Sequence, residues 1–394
     1  MRSEPIAVAS GRWAWVEIDL DALSHNITEI AAQIQGPDIW AVVKADGYGH
    51  GASTIAATAI ESGVRGLCVA LISEAEHLRA EGITAPILLL SQQPPELIPR
   101  IIAAGAIPTV DTAAYVDLLA AAVPQGARYG IQIKVDTGMQ RVGVPPHQLH
   151  EVLDAVRRAG TRLRVDAVFT HLATADDPDD HGAISQMDLF EAALREAKAS
   201  YGDVLSSAKV HIANSAAALG FAQARADMVR VGIALYGISP GPRIDPMLAL
   251  GELNLRPVMR LVARISHLKE VVAGSAISYG WRHRFVADTR VATVPIGYAD
   301  GVPRSLGIDG GEVLISGTRC RILGVVTMDQ LMVDVGHLST DQVAVGDEVV
   351  LIGSQGSEEI TATEWADLTG TIAYEVVCGI SPRVERVNRR RVGG

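Results

Sequence analysis

The stretch VVKADGYGHG, residues 42–51, sets Lys44 at the end of an apolar run and follows it with a glycine-rich loop carrying Tyr48 and His50. A desolvated lysine amine is a base or an imine-forming nucleophile, because burial disfavours the ammonium form. Seen alone, Lys44 reads as a side chain snorkelling its amine to water. The glycines change that reading, since they let the backbone approach a bound group closely. A second lysine sits in YGIQIKVDTGMQRVG, residues 129–143, where Ile131, Ile133 and Val135 alternate with Gln132, Lys134 and Asp136. That is the period of a strand. With helices over the apolar face, Lys134 points inward, where an amine tends to go neutral.

The elements that must position these lysines follow from periodicity. From about residue 20 to 240, helical and strand-like patterns alternate. DALSHNITEIAAQI places Leu23, Ile27, Ile30, Ala31 and Ile34 on one helical face, with Asp21 as candidate N-cap. HQLHEVLDAVRRAG does the same with Leu149, Val152, Leu153 and Val156. Strands are expected at DIWAVVKAD, GLCVALI, PILLL, AIPTV, YGIQIKVD, LRVDAVFTHL, KVHIANS and VRVGIALYG. Eight βα repeats predict an α/β fold with a closed (β/α)₈ barrel, whose catalytic groups sit at the C-terminal strand ends, where Lys44 falls. An open doubly wound sheet stays as the alternative, although no GxGxxG fingerprint opens a helix. After residue 245 short β-rich runs separated by Gly and Asp turns predict a mostly β domain, in which only TATEWADLTG reads as helical. The expected organisation is an N-terminal extension over 1–13, a barrel over 14–245 and a β domain over 246–394. The basic end, RVERVNRRRVGG, reads as a solvated tail.

Composition bounds the partners. With 48% apolar and 20% charged residues the 394-residue chain can bury a large core. A net charge of −11 argues against nucleic acid or anionic membrane as partner. Three scattered cysteines, Cys68, Cys320 and Cys378, support neither a disulfide framework nor a metal site. The start has an early acid and no long apolar segment, and no run approaches a membrane span, so a reduced, cytoplasmic protein is expected.

Nine motifs, in order, resemble those of the alanine racemases: AVVKADGYGHG, KVDTGMQRVG, FTHLATAD, HIANSAA, RVGIALYG, ISYG, PIGYADG, GVVTMDQ and YEVVCGISPRV. They run from about residue 14 to 385. The resemblance implies a fold-type III enzyme that interconverts L- and D-alanine with pyridoxal 5′-phosphate and supplies D-alanine for peptidoglycan. It implies that Lys44 holds the cofactor covalently and handles the proton on the D-alanine face. Tyr48, Asn214, Ser215, Gly232, Ile233 and Tyr374 are implied around the cofactor, mostly at its phosphate. Phosphate sites in barrels commonly follow the last two strands, where NSAA and RVGI lie; Ser215 alone reads equally as a helix cap. Arg230 is implied at the pyridine nitrogen. A guanidinium keeps its proton, so the ring stays unprotonated and is a weaker electron sink than one facing an acid.

Racemisation removes a proton from one face of Cα and delivers one to the other, which a single residue can hardly do. The resemblance assigns the L-alanine face to Tyr279, activated through His171 and Arg230, because a free tyrosine with pKa ~10 is a poor base near neutrality. In the family this tyrosine comes from the other subunit, implying a homodimer with shared active sites. Met328, Tyr298 and Asp329 are implied at the substrate from the same side. Arg141 is implied at cofactor and substrate carboxylate, braced by a carbamylated Lys134. One departure is Thr327, where cysteine is frequent. Three rivals stand: a racemase accepting serine or several amino acids, a decarboxylase on the same barrel-plus-β plan, and a single-barrel cofactor-binding protein without turnover. Arg230 and ISYG argue against the decarboxylase, and the second domain against the cofactor carrier.

Overall fold

The computed structural model describes residues 11–390; most of the expected N-terminal extension, residues 1–10, and the last four residues lie outside the described residues. The chain forms two compact units, one of Leu23–Gly47 with Ala52–Arg256, the other of the chain up to Ala22 with Tyr48–Gly51 and Pro257 onward.

Counting Ala14–Asp19 as β1, the first unit holds β2 (Asp38–Val42), β3 (Gly66–Val69), β4 (Ile87–Leu89), β5 (Thr109–Val110), β6 (Tyr129–Lys134), β7 (Leu163–Phe169), β8 (Lys209–His211) and β9 (Met228–Val231). They form one parallel sheet in the order β4-β3-β2-β9-β8-β7-β6-β5. The Leu88–Ile107 bridge spans the remaining gap before β5, so the ring is nearly closed, as a (β/α)₈ barrel. All eight expected strands are present, and the open doubly wound alternative is excluded. Several strands end earlier than their apolar runs suggest. VRVGIALYG is extended only to Val231, because Gly232 turns the chain (φ −114°, ψ −100°) into a 3₁₀ turn over Ile233–Tyr236.

The outer helices form where the apolar period allows. In the helix Leu149–Ala159, Leu149, Val152, Leu153 and Val156 are all buried, and the helix stops at Gly160, whose φ of +59° suits a residue without Cβ. Each such buried side chain contributes about 1.5–3 kcal/mol. The first helix, Leu20–Ile34, corrects one expectation: its cap is Asp19, whose carboxylate accepts the Ala22 N–H at 2.8 Å, and Asp21 lies inside the first turn. The carboxylate two residues earlier is the one placed to reach a free amide of that turn.

In the second unit a seven-stranded sheet runs Thr318–Arg321, Glu312–Ile315, Glu348–Gln355, Met259–Arg264, β1 and Glu385–Arg389, with Glu358–Ile360 beside Glu348–Gln355. β1 is thus antiparallel to Met259–Arg264 and parallel to Glu385–Arg389. This corrects the reading of the basic end as a solvated tail. Residues 385–389 are a strand, Arg389 pairs with buried Glu17 at 2.9 Å, and Arg386 donates to the carbonyls of Ile380, Ser381 and Val384. The positive charge there neutralises a buried carboxylate that Arg260 also contacts at 3.0 Å. A three-stranded sheet of His267–Val271, Thr289–Val294 and Leu331–Asp334 follows. After residue 245 one helix was expected; besides the short helix Asp245–Ala249 in the first unit, two are present in the second: Ala362–Thr369, capped by Thr361, and Ala373–Gly379. Gly370 at φ +71° separates them, which lets the β-branched run YEVVCG start a new helix. Among the described residues no helix is long and apolar enough to cross a membrane.

Candidate active site

β2 delivers Lys44 to the C-terminal rim of the barrel, half-buried. The chain then makes a left-handed turn: Ala45 (φ 52°, ψ 51°), Asp46 (53°, 47°) and Gly47 (61°, 44°). Left-handed backbone costs an L-residue about 1–2 kcal/mol, so at Ala45 and Asp46 the surroundings must hold it. The Gly47 N–H donates to Val43 O at 2.9 Å, and the Asp46 carboxylate accepts the Ala52 N–H at 2.8 Å, starting the next helix. Glu74, from the helix Ile72–Ala80, accepts the Ala45 N–H at 2.6 Å.

β9 lies beside β2 and places Arg230 inside the barrel, only 3% exposed. Its guanidinium donates to Thr170 O at 2.8 Å, to Ile212 O at 3.1 Å and to His211 Nδ1, and it faces His171 Nδ1 at 3.5 Å. Arginine has no acceptor, so His211 Nδ1 must be the acceptor and its proton sits on Nε2, which donates to Gln132 Oε1 at 2.9 Å. His211 stacks on Phe169 with centroids 4.5 Å apart, and Arg230 and Lys134 both lie over the Phe169 ring, at 5.2 and 5.7 Å. Burial pulls Arg230 down to about 10, still charged at neutral pH. Burial, followed by Arg230, holds His211 well below its ordinary range, and so neutral.

His171 is neutral as well. Burial pushes it down to about 3, reinforced by Arg230, Lys134, Arg141 and Lys44, all near enough to act on it. Arg230 and Lys134 share the Phe169 ring, and the charges of Lys44 and Arg141 also reach His171. Lys134 is buried and pulled down to about 8, first by burial and then by Arg230 and Arg141. Arg141 is exposed. Among the described residues none of the four forms an ion pair with a carboxylate within 4.0 Å. Asp136 and Asp111 offset part of the Lys134 charge from a distance, and the remaining excess of positive charge suits an anionic ligand. On the same rim Ser215 Oγ accepts the Gly232 N–H at 2.9 Å, and Asn214 caps the following helix through Ala217 N–H at 3.0 Å. Ile233 opens a 3₁₀ turn, whose leading amides have no partner within the turn. The donor set fits the phosphate and carboxylate groups of pyridoxal phosphate and an amino acid.

The remaining expected residues lie in the other unit. Tyr279 stands in a loop with three positive φ angles, Ser278 (62°), Gly280 (72°) and Trp281 (48°), and is 69% exposed. Ser278 anchors it by donating to Val325 O at 2.7 Å. Tyr298 and Met328 share a second loop pair, where Tyr298 N–H donates to Thr327 O and Ala299 N–H to Met328 O, both at 3.0 Å. Gly297 permits this approach, since a Cβ there would lie 2.2 Å from Thr327 O. Asp329 is held by Arg383 at 2.8 Å, and Arg12 and Arg383 bracket fully buried Asp300. Tyr48 and Tyr374 have ring centroids 6.1 Å apart.

Sequence reasoning missed several residues. His211 lies in a quoted motif, but its contact with Arg230 joins neighbouring strands. Gln132 was visible only as the inward partner of Lys134. Gln186, from the helix Gly182–Leu205, donates to His171 O at 3.1 Å and accepts Ala173 N–H at 2.8 Å, fixing the His171 loop; nothing local in the sequence signals it. Glu74 was equally silent, whereas Arg383 lies in the quoted motif YEVVCGISPRV but its pairing with Asp329 and Asp300 joins distant segments.

The comparisons agree with this chemistry. The family models described as alanine racemase, N-terminal domain and C-terminal domain match residues 18–240 and 258–388. The chain is 42% identical to an alanine racemase of Nostoc sp. over 382 residues, covering 95% of each chain. It is 40% identical to one of Mycobacterium tuberculosis over 395 residues, 98% of each. Among solved structures it is similar to alanine racemase from Bacillus anthracis with bound L-Ala-P (TM-score 0.88, 39% identity, 96% of each chain). It is also similar to that from a D-cycloserine-producing Streptomyces lavendulae (TM-score 0.88, 36% identity, 97% of this chain and 98% of that one). The chain belongs to the alanine racemase family, whose members depend on pyridoxal phosphate.

Proposed function

We propose that this enzyme interconverts L- and D-alanine, supplying D-alanine, by a two-base mechanism on a shared dimeric site. Bound pyridoxal phosphate supplies a conjugated electron acceptor that makes the α-proton of alanine removable. Every other task falls to the chain. Lys44 bonds the cofactor and moves the proton on the D-alanine face. Ser215, Asn214, Gly232 and Ile233 hold the phosphate end, joined by Tyr48 and Tyr374. Arg230 donates to the ring nitrogen without giving up a proton. Arg141 takes the substrate carboxylate.

The observation that carries this reading is the gathering of Lys44, Lys134, Arg141 and Arg230 about a neutral His171, none of the four ion-paired to a carboxylate within 4.0 Å among the described residues. With Nδ1 facing Arg230 at 3.5 Å, His171 keeps its proton on Nε2 and can donate it to a phenolate. We assign that phenolate to the partner subunit's Tyr279, with Met328, Tyr298 and Asp329 of the same β domain (246–394) at the substrate. Lys134, drawn toward neutrality, adds to carbon dioxide, forming an N–C bond and releasing a proton. The resulting carbamate balances Arg141. The cytoplasm is the expected location, and a wider range of small amino acids is the second reading.

The test is incubation with L-alanine in deuterated water. D-alanine carrying deuterium at Cα is expected, with no carbon dioxide released. Retention of L-configuration and Cα protium would refute the reading. Faster turnover of serine than alanine would favour the broader racemase.

A further inference from the structure

We propose that Glu74 is a positioning residue for Lys44, clamping the left-handed turn that follows it. The inference rests on the assignment of Lys44 as the cofactor-bonding residue. Glu74 is the third residue of the helix after β3, and an ordinary role for it is visible: Oε2 accepts the N–H groups of Ala70 and Leu71 at 2.8 and 3.0 Å, which caps that helix. Its other oxygen does something a cap does not need. Oε1 reaches to the loop after the neighbouring strand, β2, and accepts the Ala45 N–H at 2.6 Å.

One carboxylate thus ties together the rims of two barrel strands. Ala45 is the residue beside Lys44, and its backbone is left-handed although it carries a Cβ. A backbone in that conformation relaxes unless its surroundings hold it. Glu74 holds this residue directly, at its amide. If it relaxed, the lysine stem would rotate with it, and a base that must reach one face of Cα tolerates little displacement.

The chemistry of the carboxylate permits a variant that separates the two roles. Glutamine has one acceptor oxygen. Facing two donors at Ala70 and Leu71 and one at Ala45, that oxygen is best used at the helix, which turns the amide NH₂ against the Ala45 N–H. Glu74→Gln keeps the cap and loses the clamp, whereas Glu74→Ala loses both.

The holoenzyme of Glu74→Gln is expected to lose about tenfold or more in kcat in both directions with KM for alanine little changed. Its Tm stays near wild type, while that of Glu74→Ala falls. Hydrogen exchange at the Ala45 amide accelerates, and exchange at Ala70 and Leu71 does not. Ala45→Gly removes the conformational penalty, so the loss caused by Glu74→Gln shrinks in that background; a side chain that only caps a helix gives equal losses in both. Unimpaired kcat in Glu74→Gln, or equal losses with and without Ala45→Gly, overturns the proposal. Borohydride reduction followed by peptide mapping tests the Lys44 assignment separately. Label elsewhere removes both, while label on Lys44 with an unimpaired Glu74→Gln removes the clamp alone.

Discussion

Arg230 and Tyr279 are assigned to one reaction, yet their surroundings are opposite. Arg230 is 3% exposed and donates to two carbonyls and a histidine whose far nitrogen is in turn bonded to Gln132. Tyr279 is 69% exposed, in company with Trp281 at 67% and Met328 at 53%. A buried cation must be satisfied by its own chain, so the barrel fixes the charge state of Arg230 before anything binds. Large apolar side chains left in water mark a surface meant for something else. The barrel thus carries a finished electrostatic field, and on the proposed reading the β unit carries a catalytic group whose setting association would supply.

That contrast can be broken from either end. Tyr279→Phe removes only an exposed hydroxyl, so folding and cofactor affinity should be preserved. Cα proton abstraction from L-alanine should fall by about 10²–10⁴-fold, read as deuterium wash-in. Equal exchange in wild type and variant would remove Tyr279 from the mechanism. Arg230→Glu attacks the finished side. It strips donors from Thr170 O, Ile212 O and His211 Nδ1, each lost partner costing about 1–3 kcal/mol, so Tm should drop. An acid facing the ring nitrogen should also raise pyruvate formed per racemisation event. An unchanged pyruvate ratio with racemisation intact would contradict this role for Arg230.

The smallest effect is on pH. His171 falls from 6.5 to about 3 on folding. Between those values the unfolded chain binds a proton that the folded chain does not, so stability is full above 6.5 and declines as pH falls toward 3. His211 shifts in the same direction. Tm measured against pH should decline below 6.5, and His171→Gln should flatten part of that slope. A slope unaltered by the substitution would mean that His171 titrates normally.

Much of the barrel was legible because periodicity is local: eight apolar runs gave eight strands, and the period-two alternation around Lys134 placed it inward. The candidate site residues came from short motifs, which are also local, and their roles rest on the family resemblance. What stayed hidden depends on distant pairing. The antiparallel register of β1 with Met259–Arg264, and the strand made by Glu385–Arg389, put charges against Glu17 that read as solvated in sequence. The left-handed turn at Ala45 was hidden too, since alanine gives no warning of positive φ and Glu74 holds it from 29 residues away.

The proposed shared site can be tested directly by mixing two impaired variants, Lys44→Ala and Tyr279→Phe, and allowing subunits to exchange. If Lys44 and the partner subunit's Tyr279 complete one site, each mixed dimer has one intact site, and random pairing restores about a quarter of wild-type racemisation. Mixed dimers that form, as shown by intact mass, and yet remain inactive would contradict the account.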